Sequence, residues 1–406
     1  MKKVVIIGAG PAGLIAAANL LKNGIAVTII EKAEFPRIIV GESLLPVSME
    51  HFEEAGFLEP LKAAGFAKKP GARFIKGDNA VDFDFSQQFT EGWTWTWQVP
   101  RAEFDQIMAD EVIKMGAEII FGATITAIED TSTPIINYSL KGEEAEIRAD
   151  FIIDASGFSC VLAGMRDIEV TTGQYPNWAV FTHVLDSDKD KYPNPERITF
   201  DIVDQDLWLW VIPFSNGITS IGWAGNKRHF EENVEDNKSY FAELMKRSET
   251  FRDRFKDAKM LFDPKWHRGY SRSTEVLHGE NWVLTGNCVE FLDPIFSSGV
   301  ALATYSASVA SKLVIRQLNG EKFDWDVEYD QHIKKGIDVF RTYVDGWYEG
   351  KLQDVFFSDH LNKEFKAQIC SVLSGYVHDT ENPFVKKHKS GLDALHKVLK
   401  IMDRSS

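Results

Sequence analysis

The sequence predicts an α/β protein with three parts: a discontinuous Rossmann-like nucleotide-binding domain, an antiparallel β substrate domain and a C-terminal helical region. Three observations carry this. The N-terminus reads strand, glycine-rich turn, helix, strand and acid, in that order. Alternating apolar runs such as "RITFDIV" and "LWLWVIP" read as antiparallel strands. From about Glu321 the pattern turns helical with scattered aromatics. The expected limits are 1–76, 98–170 and 269–320 for the nucleotide domain, 77–97 and 171–268 for the substrate domain, and 321–406 for the helical region.

The first element is Val4 to Ile7, a β-branched run suited to a strand buried on both faces. Gly8-Ala9-Gly10-Pro11-Ala12-Gly13 matches G-x-G-x-x-G and runs into an Ala-rich helix from Leu14 to Lys22. "AVTIIE" is a second strand ending at Glu31. Glycine is required in the turn because a side chain would hold a pyrophosphate away from the helix N-terminus. Glu31 falls roughly 20 residues past the glycines, where a carboxylate accepts hydrogen bonds from a ribose. The motif alone leaves NAD and FAD open.

Composition narrows the class. The 406 residues are 44% hydrophobic and 26% charged, which is ample for a soluble, globular chain with a large core. A net charge of −15 argues against nucleic acid as a partner, since phosphate binding needs a basic surface. Cys160, Cys288 and Cys370 are scattered without C-x-x-C spacing, so neither a metal site nor a disulfide framework is expected, in keeping with a reducing cytoplasm. The N-terminal run of 18 uncharged residues is broken by glycines and a proline, so it reads as strand–turn–helix rather than a signal or transmembrane segment.

Three later segments resemble FAD-dependent aromatic hydroxylases. "QVPRAEFDQIMADEV" is similar to the helix that brings an arginine, here Arg101, to the cofactor. "FIIDASGFSCVLA" resembles the D-x-S-G turn, with Asp154 ending a strand. "VLTGNCVEFLDPIFSSGVALATYSASVASKLV" resembles the second flavin-contacting element, with Asn287 where that family usually carries Asp. The resemblance implies an FAD-binding domain of the aromatic-hydroxylase type. Its expected cofactor-binding residues are Gly8, Gly10, Pro11, Ala12, Gly13, Glu31, Lys32, Arg37, Glu42, Ser43, Arg101, Asp154, Gly286, Asn287, Asp293, Pro294, Gly299 and Val300.

"VGESLLP" (Val40 to Pro46), "WLWVIP" (Trp208 to Pro213) and "DPIFSSGV" together resemble the flavin-dependent halogenases, in the branch acting on phenols and pyrroles. Tryptophan halogenases carry a glutamate in the D-P loop where this chain has Phe296. Trp208 and Trp210, two apart on a strand, project to one face. The resemblance implies that they build, with Pro213 and Phe296, a wall between flavin and organic substrate. A related segment, "WTWQVP" (Trp95 to Pro100), shares the W-x-W-x-V/I-P pattern but is expected to end a strand of the flavin region.

Lys69 in "GFAKKPGARF" matches the family's catalytic lysine, while K-K before Pro-Gly by itself reads as a solvated turn. As ammonium it would hydrogen-bond hypohalous acid; as free amine it would form a haloamine. Either role needs a desolvated lysine with a lowered pKa. Ser298 and Gly299 match the halide-contacting pair at the start of a helix running to about Asn319-Gly320; an N-cap serine is the plain alternative.

The implied partners are an external flavin reductase using NADH or NADPH, halide, and an aromatic substrate, free or presented by an acyl or peptidyl carrier protein. Rival readings remain at this stage. Geranylgeranyl reductases carry Y/F-x-W-x-F-P followed by G-x-G, and Trp210, Pro213 and Gly222-Trp223-Ala224 fit that in part. An aromatic monooxygenase and a flavin-binding scaffold without turnover are the others. "DSDKDKYPNPER" (Asp186 to Arg197) reads as an exposed loop, and the tail from Phe384 reads as a basic amphipathic helix packed on the domain.

Overall fold

A computed structural model describes residues 2–405 apart from 130, 188 and 192–194. Part of the expected 186–197 loop therefore lies outside the described residues; the rest includes a short helical turn, Lys189–Lys191.

Five parallel strands and one antiparallel edge form the nucleotide-binding sheet. The order is His278–Gly279, Trp282–Leu284, Phe151–Asp154, Lys3–Ile7, Ala26–Glu31 and Glu118–Phe121. Lys3–Ile7 is central, which is why its sequence is apolar without alternation. The Pro11–Lys22 helix leaves the turn with proline in its first position, where a missing N–H costs nothing. A Cβ on Gly13 would lie 2.0 Å from the Gly8 carbonyl oxygen, so only glycine lets helix and turn approach this closely. Beside this helix runs Ser298–Leu318, which is long and apolar enough to cross a membrane, with 72% of its apolar window buried in the protein core.

The second sheet has seven strands, ordered Lys265–Arg268, Asn177–Leu185, Ile218–Asn226, Leu207–Pro213, Ile198–Asp204, Gly71–Lys76 and Asn79–Asp84. All pairs are antiparallel except Ile198–Asp204 with Gly71–Lys76. Gly71–Lys76 therefore belongs to the substrate sheet, which moves the expected limit at 76/77 to a point before Gly71. Thr96–Gln98 also departs from expectation: it pairs with Ala67–Lys69 in a two-stranded ribbon, rather than ending a strand of the flavin region.

"LWLWVIP" is buried at every position because both faces of the sheet are covered. Period-two geometry sorts it. Trp208, Trp210 and Ile212 join the main core, while Leu207, Leu209 and Val211 face a second core with Trp223 and Phe241. After residue 320 the chain is mainly helical: Asp326–Gln331 (π-helical), His332–Tyr348, Lys351–Phe356, Lys363–Leu373, Pro383–Lys386 and His388–Ser405. Phe340, Tyr343, Trp347 and Tyr348 are buried in it. The tail helix packs on the domain through Leu392, Leu395 and Leu399.

Trp210 sits across from Gly222, and a Cβ there would come 2.2 Å from its Cζ2 and 2.6 Å from Phe181 Cβ. Gly222→Ala is expected to displace the indole and lower stability by about 1–3 kcal/mol. Ser220→Ala, which removes only the acceptor 3.2 Å from Trp210 Nε1, should cost about 1 kcal/mol. Chemical denaturation of both variants checks the order.

Candidate active site

A cleft of about 340 Å³ opens between the two sheets. The glycine turn (Gly8, Gly10, Pro11, Ala12) forms one end, with Glu31, Lys32 and Arg37 beside it. Gly41 to Ser43, Arg101, Ala155 to Ser159, Gly286 and Asn287 line the flanks. Pro294, Ser297, Gly299 and Val300 lie at the start of the Ser298–Leu318 helix. Ile198, Phe200, Trp208, Trp210 and Ile212 close the side formed by the second sheet.

The phosphate end is prepared by the backbone. Gly10 caps the Pro11–Lys22 helix without a side-chain bond, so the first-turn N–H groups are left for an anion. Glu31 is anchored through both oxygens: Oε2 accepts from Ala9 N at 2.7 Å and Oε1 from Ala33 N at 2.8 Å. Each oxygen retains acceptor capacity for a ribose hydroxyl. Arg101 donates to Asp105 through Nε and Nη2, both at 2.9 Å, and to the Val40 carbonyl at 3.1 Å. Arg37 reaches the same carboxylate at 2.6 Å. Asp105 was not singled out in the sequence; its signal was the R-x-x-x-D spacing, one helical turn after Arg101.

Seven expected site residues do not line the cleft; Lys69 is described below, and each of the other six has a physical reason. Gly13 serves helix packing, as described above. Asp154 is spent on its own turn, accepting from Ser156 N at 2.8 Å and Leu162 N at 2.7 Å, and burial raises its pKa. Asp293 accepts from Ile295 N at 3.0 Å, Asn177 Nδ2 at 3.0 Å, Tyr270 OH at 3.1 Å and Tyr348 OH at 2.9 Å. Burial nevertheless pushes its carboxyl up to about 6. Asp293 thus clamps the D-P loop from outside the cleft lining. Asn177, Tyr270 and Tyr348 come from three distant segments, so no motif announced them. Pro213 ends its strand and its carbonyl accepts from Gln98 Nε2 at 3.0 Å. Phe296 packs edge-on against Tyr343 and Trp347, away from the cleft. Ser298 is buried as the first helical residue, while its neighbour Ser297 faces the cleft as N-cap, with φ 57° and no side-chain cap bond. Of the expected halide pair, only Gly299 lines the cleft.

The two indoles expected on one face of the strand are found together at the cleft. Trp208 and Trp210 both face the cleft, with ring centroids 5.9 Å apart, and Phe200 packs edge-on against Trp208 at 5.6 Å. Behind Phe200 lies Phe74, stacked at 4.8 Å and packed in turn against Phe83, Phe356 and Trp347.

Lys69 is not in a solvated turn. It ends the Ala67–Lys69 strand, is 1% exposed, and donates from Nζ to the Leu44 carbonyl at 2.7 Å, with the Phe85 ring 5.5 Å away. Desolvation lowers its pKa from 10.5 to about 7. Lys68, one step out of register, lies over the Trp95 ring instead. The Gly41–Leu44 segment thus has two sides: Gly41, Glu42 and Ser43 line the cleft, and Leu44 holds the amine. Thr96–Gln98 braces it, through Leu44 N to the Trp97 carbonyl at 3.1 Å and Val99 N to the Glu42 carbonyl at 2.7 Å. Glu42 Oε1 meets His183 Nε2 at 2.5 Å, a contact the sequence did not signal.

An open helix N-terminus, an anchored acid one strand away and an apolar slot in one cleft define a dinucleotide-binding enzyme, and the family match makes the dinucleotide FAD. The comparisons agree. Residues 1–313 match the FAD binding domain family. The chain is 30% identical to the 1H-pyrrole-2-carbonyl-(peptidyl-carrier protein) brominase of Pseudoalteromonas luteoviolacea, over 93% of each chain. It is 29% identical to the corresponding chlorinase of Pseudomonas fluorescens, over 92% of this chain and 89% of the relative. Among solved structures, a flavoprotein/dehydrogenase from Cytophaga hutchinsonii superposes with a TM-score of 0.95 at 43% identity, covering 99% of this chain and 100% of that one. The flavin-dependent brominase Bmp2 gives 0.83 at 25% identity, covering 99% of both. The chain belongs to the flavin-dependent halogenase family, and its cofactor is FAD.

The residues present fit that cofactor. Besides the open helix N-terminus, Glu42 Oε2 and Ser43 Oγ are buried polar atoms without a protein partner, on the segment that lines the cleft.

A buried amine is costly, and the cost has a pH signature. The folded pKa of Lys69 lies below its unfolded value, so unfolding takes up a proton between about 7 and 10.5. Lys69→Met is therefore expected to stabilise the fold at pH 7 by on the order of 4 kcal/mol. The gain should shrink as pH rises towards 10.5. Urea titrations of both proteins at several pH values check it.

Proposed function

We propose that this protein halogenates an electron-rich aromatic ring of the pyrrole or phenol type. A pyrrole carboxyl group held on a peptidyl-carrier protein is the form best supported, because two relatives aligned over 92% and 93% of this chain carry that substrate in their names. The observation that carries the reading is Lys69: an enclosed amine poised near neutrality, one carbonyl removed from the cleft-lining segment.

When bound, reduced FAD would give two electrons to oxygen, and halide would give the other two as it is oxidised. The rest falls to the chain's own residues. The glycine turn and Glu31 hold the dinucleotide, and Arg37 and Arg101 are held at the cleft by Asp105. Ser297 and Gly299, at a helix N-terminus, favour an anion such as halide. Trp208 and Trp210 exclude water and keep the organic acceptor off the cofactor. Lys69 Nζ, aimed by the Leu44 carbonyl, takes up the oxidised halogen and presents it to the ring.

An external flavin reductase is proposed as electron donor, because the sequence carries one dinucleotide glycine motif and the cleft accounts for it. A cytoplasmic location is proposed on the acidic composition and the free thiols. A second reading, flavin-dependent reduction of an apolar substrate, draws support from the likeness to a flavoprotein/dehydrogenase.

The test supplies protein, FAD, a flavin reductase, NADH and bromide with activated phenols and carrier-bound pyrrole-2-carboxylate. Mass spectrometry should find brominated product. Lys69→Met should lower its formation by roughly 10²–10⁴-fold, as for loss of a positioned proton-handling group. Lys68→Met should stay within about two-fold of wild type, as for a surface site. Hydroxylated or saturated product instead of brominated product would transfer the assignment to monooxygenase or reductase chemistry.

A further inference from the structure

The scattered cysteines are not scattered in space. Cys160, a non-glycine residue at φ 42°, closes the Gly157–Ser159 turn and opens the Val161–Met165 helix. Cys288 ends the Gly286–Cys288 turn. Both thiols donate to one acceptor, the Gly157 carbonyl, each at 3.4 Å. Cys160 is 5% exposed and Cys288 0%. The guanidinium of Arg272, which donates from Nη1 to the Phe158 carbonyl at 2.5 Å, lies beside Cys160. The Cys288 thiol and this cation hold the Cys160 thiol down at about 7, whereas burial drives Cys288 well above its ordinary value. Cys288 Sγ also lies 3.4 Å from Asp154 Oδ1. Cys370 stands apart, donating to the Asp84 carbonyl at 3.3 Å and pushed up to about 12 by burial.

The two cysteine turns belong to the cofactor cleft. Ser156 to Ser159 line it from one side, and Gly286 and Asn287 from the other. We propose that Cys160 and Cys288 are an oxidation site at which hydrogen peroxide forms a disulfide that ties these two turns together and slows the release of FAD. The proposal is independent of whether halogenation is the reaction.

The step balances. The Cys160 thiolate attacks one peroxide oxygen, the O–O bond breaks, and hydroxide leaves as water after taking a proton. Cys160 is then a sulfenic acid. Cys288 loses its proton to the Asp154 carboxylate, its sulfur attacks the sulfenic sulfur, and the S–O bond breaks to release a second water with that proton. Two thiols supply two electrons, and one peroxide is reduced to two waters. Cys160 is the attacking group because it is nearer the surface and beside the cation, and Cys288 is the resolving group.

The experiment uses the full-length holoprotein, freed of reductant and treated with a small excess of hydrogen peroxide. Peptide mapping should find a Cys160–Cys288 cross-link, and thiol titration in denaturant should fall from three to one. Cys288→Ser should stall at a Cys160 sulfenic acid trapped by dimedone, and Cys160→Ser should leave Cys288 reduced. FAD release followed by its fluorescence should be several-fold slower after oxidation, restored by dithiothreitol and unchanged in Cys288→Ser. A wild-type protein whose Cys160 goes on to sulfinic acid beside a reduced Cys288 would overturn the pairing. So would survival of all three thiols under peroxide that oxidises thioredoxin, and a cross-link that leaves FAD release unchanged would overturn the tie between the turns. The wild-type measurements stand without either variant.

Discussion

A charged amine carried into a protein interior must be met by an opposite charge or give up its proton. Among the described residues Lys69 has no ion pair; the Leu44 carbonyl meets it, and an aromatic ring lies nearby. Much of the site is arranged around that unpaired amine. The Thr96–Gln98 strand holds Lys69 on one edge and the Gly41–Leu44 segment on the other. One short stretch of backbone therefore does two things: its Glu42 and Ser43 line the cofactor cleft, and its Leu44 carbonyl accepts from the amine. The stability this costs is the kind natural proteins give up at functional sites.

The placing of the two indoles is a consequence of sheet geometry. Alternation along Leu207–Pro213 sends both indoles to the cleft face, and the register with Ile218–Asn226 sets a glycine opposite Trp210. Any side chain at Gly222 would meet the ring. "WTWQVP" and "WLWVIP" look alike because each is a short β-segment rich in indole, yet they do different work. The first braces the lysine strand and carries a ladder of Trp93, Trp95 and Trp97 at 5.5 and 5.4 Å. The second lines the cofactor cleft with Trp208, Trp210 and Ile212.

Two acids that the sequence motifs assign to the cofactor, Asp154 and Asp293, lie outside the cleft lining, as does Asp105, which no motif assigned. Asp154, Asp293 and Asp105 each turn their oxygens to groups of the protein itself: backbone N–H groups, a thiol, an amide, tyrosines or arginines. They shape the turns whose backbone and small side chains line the cleft. Such carboxylates are as necessary as direct ligands, since freeing one would leave buried donors unpaired.

The strand–glycine–helix–strand–acid order was legible because each step is local: periodicity, turn chemistry and a fixed distance along the chain. Glu31, the glycines and the shared face of the two indoles were found that way; Arg101, the place of the indoles and Lys69 came from resemblance. What remained hidden depends on segments far apart in sequence. Nothing local in Gly71–Lys76 reveals that it pairs with Ile198–Asp204 in the substrate sheet. Nothing in "GNC" or "FSC" reveals two thiols on one carbonyl, nor does "DP" foretell the tyrosines that occupy Asp293. Burial decided the chemistry too: from residue types alone a Lys-Lys-Pro-Gly stretch reads as solvated, and only packing around Lys69 removes the water that would keep it charged. Local backbone preference is written in neighbours along the chain, whereas desolvation and long-range pairing exist only once the chain has closed on itself.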